Sequence, residues 1–549
     1  MNHYGQQINA PRAARCVVGA VALLALAACG GGGGGGDNGP GVPAVDVTVS
    51  GRITYDRVPV NSATGGLDYT ATVAEPARNV LVELVDQDGA VVASGETNSS
   101  GRYALDVAAN RTLNLRVMAR TRRTGRPAWD FQVVDNTSDN LLYAIESGAL
   151  SVGNVDQTVN LRAESGWDGA SYADPRAAAP FAILDTVYRA VELVLEADPD
   201  AVFVPLTLHW SPLNRESDVF DPDSGQIPTT GYIDDPIASG IYILGDEGID
   251  TDEYDAHILA HEWGHYFEDN FARTDSVGGP HSITSRLDPR VAYSEGWSNA
   301  FSAMVLDDPL YVDTFGPQQS LGFSFDIENN RGVGRGWFNE SSVHSILYDV
   351  FDDQDDGVDV VSLGFGPLYD AITTDQATSA ALTTIFSLIP PLKLAEPGDV
   401  AGIDALVAEQ QIDAVDMDIW ASTETHDLGA TDVLPVYADA NLDGGAVTVC
   451  SNPQFGSFNG LGVRQFVRFE IGGSGRYRLT AEGPADSDPD FAVYNVGLIA
   501  VSESAVPGRE VFTSDLDPGE YVLAVYEFGN LFSPNSGRTC IDVSVETAP

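Results

Sequence analysis

The sequence predicts a multidomain protein, with an N-terminal β-sandwich over 46–165, an α+β domain over 170–430 and a C-terminal β-sandwich over 436–549. Three observations predict this division. At 549 residues the chain exceeds what one hydrophobic core ordinarily holds. Both flanks read as short runs of alternating apolar and polar residues broken by Gly, Pro, Asn and Asp, the pattern of half-buried strands joined by turns. The middle switches to helical spacing, with apolar residues three and four apart.

The leader is set apart from the fold. Arg12 and Arg15 precede an apolar run, Val17 to Leu26, that is too short to span a bilayer stably. It ends in Leu26-Ala27-Ala28-Cys29-Gly30, which resembles a bacterial lipobox. The resemblance implies a signal peptide over 1–28, cleavage before Cys29, and a lipid on its thiol. That lipid would anchor the mature chain to a membrane of the bacterial cell envelope, at the outer membrane or cell surface. An ordinary secretory signal with an incidental cysteine is the alternative. Gly30 to Gly36 opens a flexible tether that runs over 29–45.

Composition narrows the partners. Eighty Asp and Glu against 28 Lys and Arg give a net charge of −52, and Lys393 is the only lysine. Such a surface repels phosphate backbones and excludes nucleic acid as a partner. Of four cysteines, Cys16 leaves with the leader and Cys29 is the lipid site. Cys450 and Cys540 remain, an even pair in an exported protein, and are expected to form a disulfide.

In the N-terminal segment, strands are expected at 45–55, 79–85, 91–97, 102–107 and 113–119, with turns at Asp88-Gly89, Ser100-Gly101 and Gly125-Arg-Pro127. Gly51-Arg-Ile-Thr, Val80-Leu-Val-Glu-Leu and Thr97-Asn-Ser-Ser-Gly-Arg-Tyr103 resemble carboxypeptidase-regulatory-like or transthyretin-like modules. That likeness implies a spacer or contact surface, and no catalytic constellation occurs here. In the C-terminal segment, Leu516-Asp-Pro-Gly-Glu-Tyr-Val-Leu-Ala-Val525 resembles a hairpin of pre-peptidase C-terminal domains. Cys450 and Cys540 fall on early and final strands of that segment.

Within the middle segment, Phe181, Leu184, Val187, Val191 and Leu195 mark an amphipathic helix over 179–197. A strand follows over 202–210, in which His209 has apolar neighbours and reads as structural. Gly240-Ile-Tyr-Ile-Leu-Gly245 reads either as a sheet edge able to pair with an extended peptide or as an ordinary core strand.

The chemistry lies in Asp255-Ala-His257-Ile-Leu-Ala-His261-Glu262-Trp-Gly-His265. On a helix, residues four apart stand one above the other, so His261 and His265 can present imidazoles to one cation. Glu262 can reach a water on that cation as a general base. A hydrolytic zinc site needs a third protein ligand, for which Asp269, His281 and Glu295 are the candidates. Phe271 stands where a metzincin would carry histidine. Asp269 lies one turn past His265 and would strain to reach back, and His281 sits in a Gly-Gly-Pro-His loop without rigid support. Glu295 is best placed, on an expected second helix over 291–304.

H-E-x-x-H followed by Glu295-Gly-Trp-Ser-Asn299 resembles the gluzincin metallopeptidases, above all the thermolysin and fungalysin groups. The resemblance covers the middle segment alone. It implies one catalytic Zn²⁺ held by His261, His265 and Glu295, with Glu262 as base and a protein or peptide as substrate. Asn299 departs from the aspartate common at that position; its amide oxygen can accept the same histidine hydrogen bond without adding charge. His344, in Asn339-Glu-Ser-Ser-Val-His344, resembles the Val-His segment that stabilises the oxyanion in thermolysin-like enzymes. Tyr254, Tyr293 and Tyr348 are weaker candidates for that role. Five carboxylates between Asp352 and Asp359 suit a structural Ca²⁺ or a solvated acidic turn. The rival reading is a non-catalytic surface-binding lipoprotein built on a degenerate peptidase fold.

Overall fold

A computed structural model describes residues 46–330, 334–354 and 357–549; the leader, Cys29 and the glycine tether lie outside them. Asp46–Arg57 turns Val47, Val49, Ile53 and Tyr55 inward on alternate positions, as a strand with one buried face must. It pairs antiparallel with Val73–Pro76 and Arg102–Ala108, and parallel with Leu161–Ala163. A second sheet, led by Leu81–Val85 and Arg111–Met118, adds Val82, Leu84, Leu115 and Val117 to the same core.

A third sheet crosses the expected boundary at 165–170. Trp129–Asp135, from the N-terminal segment, pairs parallel with Leu206–Trp210, which pairs parallel with Gly240–Ile243. Arg120–Arg123 flanks it on one side, and Gly231–Ile233 closes the other, antiparallel to Gly240–Ile243. Trp129, Phe131 and Val133 are buried on alternate positions, with Val134 buried as well, while Asp130 and Gln132 are partly exposed on the other face. The N-terminal segment therefore supplies a central strand to the sheet beneath the motif helix. Gly240–Ile243 is likewise buried throughout and bonded on both sides, so it is an interior strand. The free edge belongs to Gly231–Ile233.

Four helices build on this sheet: α1 (Ala179–Ala197), α2 (Ala256–Phe271), α3 (Pro289–Leu306) and α4 (Glu340–Phe351). α1 starts with Pro180 in its first turn, where a missing N–H costs nothing. Trp263 and Phe267 of α2 stack on Phe301 of α3 at 5.5 and 5.7 Å between ring centroids. Two glycines let the helices close. A Cβ on Gly264 would stand 3.0 Å from Ser298 Cα, and one on Gly296 would stand 2.5 Å from Val343 Cβ. Every residue of α3 from Pro289 to Val305 is buried, including Ser294, Glu295, Ser298 and Asn299. A helix that buries polar groups on every face must spend them on partners.

The C-terminal segment is a sandwich of a five-stranded and a four-stranded sheet around its own core, with Phe469, Leu523 and Val525 facing Leu479, Ile541 and Val543. Cys450 and Cys540 are register partners on Val447–Ser451 and Thr539–Thr547 and form a disulfide. The sandwich docks on α3 through fully buried Arg290. Its guanidinium donates to Asp288 at 2.7 and 2.9 Å and to Tyr494 Oη at 3.0 Å. Among the described residues no helix is long and apolar enough to cross a membrane.

Candidate metal centre

α2 carries His261 and His265 on one face, and α3 brings Glu295 against them. The two Nε2 atoms stand 3.1 Å apart, and Glu295 Oε2 lies 3.3 Å from each. Their partners set the tautomers. His261 Nδ1 lies 2.9 Å from Asn299 Oδ1, an oxygen that can only accept, so Nδ1 carries the proton and Nε2 is bare. His265 Nδ1 lies 3.1 Å from Ser298 Oγ and 3.4 Å from Ser294 Oγ. Ser294 donates its own proton to Glu268 at 2.6 Å, which leaves its oxygen free to accept from His265. Two lone pairs thus face each other beside a carboxylate.

Buried Glu295 Oε2 has no hydrogen-bond partner of acceptable geometry. That arrangement is repulsive unless a metal cation or a proton sits among the three atoms; burial would lower the His265 pKa, but Glu295 beside it carries the ring up to about 9. Donors at about 2.0–2.1 Å around a tetrahedral zinc stand roughly 3.3–3.4 Å from one another. The observed triangle of 3.1, 3.3 and 3.3 Å has those edges. The donor set of two imidazoles and one carboxylate therefore fits zinc with one position left open.

Glu262 points from the same helix toward the sheet. Its Oε2 accepts from the backbone N–H of Tyr232 at 2.7 Å, so its carboxylate is held at the free edge strand Gly231–Ile233.

His281, from the loop before α3, also reaches the site. Its Nε2 stands 3.3 Å from Glu295 Oε2 and its Nδ1 2.8 Å from Glu340 Oε2 on α4. It touches the triangle through Glu295 and lies outside the set whose donor atoms all fall within 4.8 Å of one another. Burial alone would lower the His281 pKa, but Glu295 and Glu340 outweigh it and carry the ring up to about 10. Glu295 answers in the opposite sense: burial would raise it, and His281 and His265 hold it well below the usual carboxylate range.

His344 lies elsewhere. Its ring stacks on Phe325 at 5.6 Å, Phe325 stacks on Tyr311 at 4.6 Å, and Tyr311 meets His261 edge-on at 6.4 Å. These contacts link His344 to His261 through two rings. Its Nδ1 has no partner, and burial pushes its pKa down to about 3. The pairing of His281 with Glu340 leaves no local signal in the sequence, since a loop and a helix start separated by 59 positions meet only in the fold. His257 is buried, with Nε2 3.0 Å from the Asp308 carbonyl. Asp269 accepts from Tyr232 Oη at 3.1 Å and stands outside the triangle. Asp355 and Asp356 of the acidic run lie outside the described residues.

Residues 200–384 carry α2, α3 and α4. That stretch matches the family model described as the mycolysin C-terminal domain. The match covers about a third of the chain and connects it with metallopeptidase-type proteins. No curated protein matches the chain. Among solved structures, the pre-peptidase C-terminal domain of collagenase from Bacillus anthracis is 14% identical, covering 20% of this chain and 93% of its own, at a TM-score of 0.15. The surface-associated copper-binding protein CorA of Methylomicrobium album BG8 is 9% identical over 21% of this chain and 99% of its own, at 0.16. PliG of Aeromonas hydrophila, a periplasmic inhibitor of g-type lysozyme, is 15% identical over 20% and 98%, at 0.13. At such scores these likenesses carry no argument about the chain.

Proposed function

We propose that the protein is a zinc-dependent peptidase acting on proteins or peptides outside the cytoplasm. The observation that carries the reading is the triangle of His261 Nε2, His265 Nε2 and Glu295 Oε2, with Glu262 beside it on the same helix. His261, His265 and Glu295 would hold the ion. When bound, zinc supplies Lewis acidity, polarising a carbonyl and bringing the pKa of a water to about 7.

The chain's own residues do the rest. Glu262, held by the Tyr232 N–H, takes the proton of the attacking water and later passes it to the leaving amine. The edge strand Gly231–Ile233 runs beside Glu262, which takes its Tyr232 N–H, so an extended substrate pairing there would displace that bond. His281, whose protonated form is stabilised by Glu340, donates from Nε2 to the oxyanion, the role that the resemblance assigns to His344. Asn299 and Ser294 keep the ligand imidazoles in the tautomer that bares Nε2. A lipid on Cys29 would hold this activity at the cell envelope, and the same reading includes it.

Digestion of a mixed peptide library by a soluble form beginning after Gly36, read by mass spectrometry, tests the proposal. Cleavage is expected from zinc-restored protein and not from the stripped sample. Folded, zinc-loaded protein that cuts nothing would favour the binding-module reading.

A further inference from the structure

Glu340 fixes the ring of His281, but the backbone that carries the ring is held from another direction. Residues 272–288, between α2 and α3, contain no helix or strand, so the loop's place depends on partners from elsewhere in the fold. After His281, Asn339 Nδ2 donates to the carbonyls of Ile283 and Ser285, each at 3.0 Å. Before it, the donor comes from the C-terminal sandwich. Asn459 Nδ2 donates to the Gly278 carbonyl at 2.9 Å and to the Pro280 carbonyl at 3.1 Å, and Pro280 directly precedes His281. We infer that Asn459 is a positioning residue for His281, which makes the C-terminal sandwich a working part of the active site rather than an appended module. The inference rests on the reading of His281 as the oxyanion donor.

Asn459 is built to hold and not to move. It is 3% exposed, and both protons of its amide are spent on the loop. The backbone on either side of it continues the grip. The Asp288 N–H donates to the Asn459 carbonyl at 2.8 Å, the Leu461 N–H donates to the Arg286 carbonyl at 2.9 Å, and Leu287 bridges Gly460 antiparallel. This short ladder ends at Asp288, the residue that caps α3, so one segment of the sandwich holds both the loop and the entry of the helix that carries Glu295.

Two backbone conformations mark the contact as specified. Gly279 has a φ of +102°, and a Cβ there would stand 2.6 Å from a ring carbon of Phe458, so glycine alone admits the ring. Phe458 itself has a φ of +56°, a left-handed conformation that a bulky residue keeps only where its surroundings impose it. Those surroundings belong to the sandwich. The Arg464 guanidinium donates to the Phe458 carbonyl and lies over its ring at 5.2 Å, and the Phe458 N–H donates to the carbonyl of fully buried Asn530 at 3.3 Å.

The chemistry needs this precision. An oxyanion donor works over a narrow window, about 2.7–3.1 Å from the developing charge, and a displacement of about 1 Å takes it out of reach. Glu340 sets which way the His281 ring faces, and Asn459 sets where its backbone stands.

The test is a double-mutant cycle on the full chain loaded with zinc, comparing wild type, Asn459→Ala, His281→Ala and the double variant on a peptide that the wild type cleaves. Asn459→Ala is expected to lower kcat about 10-fold with KM within about twofold, and to add less than about twofold once His281 is alanine. Equal losses in the two backgrounds would overturn the proposal, because a purely structural role does not depend on His281. An unchanged kcat in Asn459→Ala would overturn it too. Hydrogen exchange over 276–284, read by mass spectrometry, needs no turnover. Faster exchange there in Asn459→Ala, with α2 unchanged, supports the proposal, and unchanged exchange refutes it. If His281→Ala keeps full kcat, the oxyanion reading falls, and the exchange measurement still decides whether Asn459 holds the loop. If Asn459→Ala does not fold, Asn459→Asp, which keeps the shape and removes both donated protons, runs the same cycle.

Discussion

His281 and His344 are both histidines downstream of the motif helix, and their surroundings could hardly differ more. His281 lies between two carboxylates, Glu295 at 3.3 Å and Glu340 at 2.8 Å, on the rim of the triangle of His261, His265 and Glu295. His344 lies under Phe325 with an unpaired Nδ1 and no carboxylate partner. The comparison teaches that a histidine's usefulness is set by what faces its second nitrogen. A carboxylate there favours the charged, donating form, whereas an apolar wall keeps the ring neutral.

The largest expected effect separates the two directly. His281→Ala should lower kcat by about 10²–10³-fold with zinc content unchanged, the range for loss of one oxyanion donor. His344→Phe should leave kcat within about threefold, because it changes only the ring two removed from the triangle. Steady-state kinetics with zinc analysis on both variants would break the comparison if the losses were reversed.

Asn299→Ala tests the imidazole on the other side. It removes the 2.9 Å partner of His261 Nδ1 and should weaken zinc binding about 10–100-fold, as read by competition with a chromophoric chelator. Glu340→Gln should cost about 10-fold in kcat and less in KM, because the amide still positions His281 but no longer favours its charged form.

The smallest effect concerns stability. The His344 pKa is depressed to about 3, so the unfolded chain takes up a proton near pH 6.5 that the folded chain refuses. Stability is therefore intact above pH 6.5 and falls as pH drops toward 3, with a loss of about 2 kcal/mol already at pH 5. His344→Phe should abolish that component and add about 1 kcal/mol at pH 7 by removing an unpaired buried nitrogen. Urea unfolding of both proteins at pH 5 and pH 7 measures it. A wild-type acid loss that survives in His344→Phe would assign it to other groups.

Much of the site was legible because its information is local. His261, Glu262 and His265 share one helical turn, and Glu295 with Asn299 sits one turn apart on the next helix. The disulfide was legible by counting cysteines. What the sequence hid depends on contacts between distant segments. The parallel pairing of Phe131 with Leu206 leaves no mark in either segment, so the N-terminal residues read as a separate module. Gly240–Ile243 was readable as a strand, but its neighbours on both sides were not, and these decide whether an edge is free. In the sequence His281 sits in a Gly-Gly-Pro-His loop that shows no rigid support. The support comes from Glu340, on a helix that Gly296 lets approach.

The central claim is that Glu262 works beside a zinc held by three other side chains, so Glu262→Gln is the most direct test. The account predicts one zinc per chain in the variant, as in the parent, and a fall in peptide cleavage of at least about 10³-fold. Full cleavage by a zinc-loaded Glu262→Gln protein would contradict the assignment.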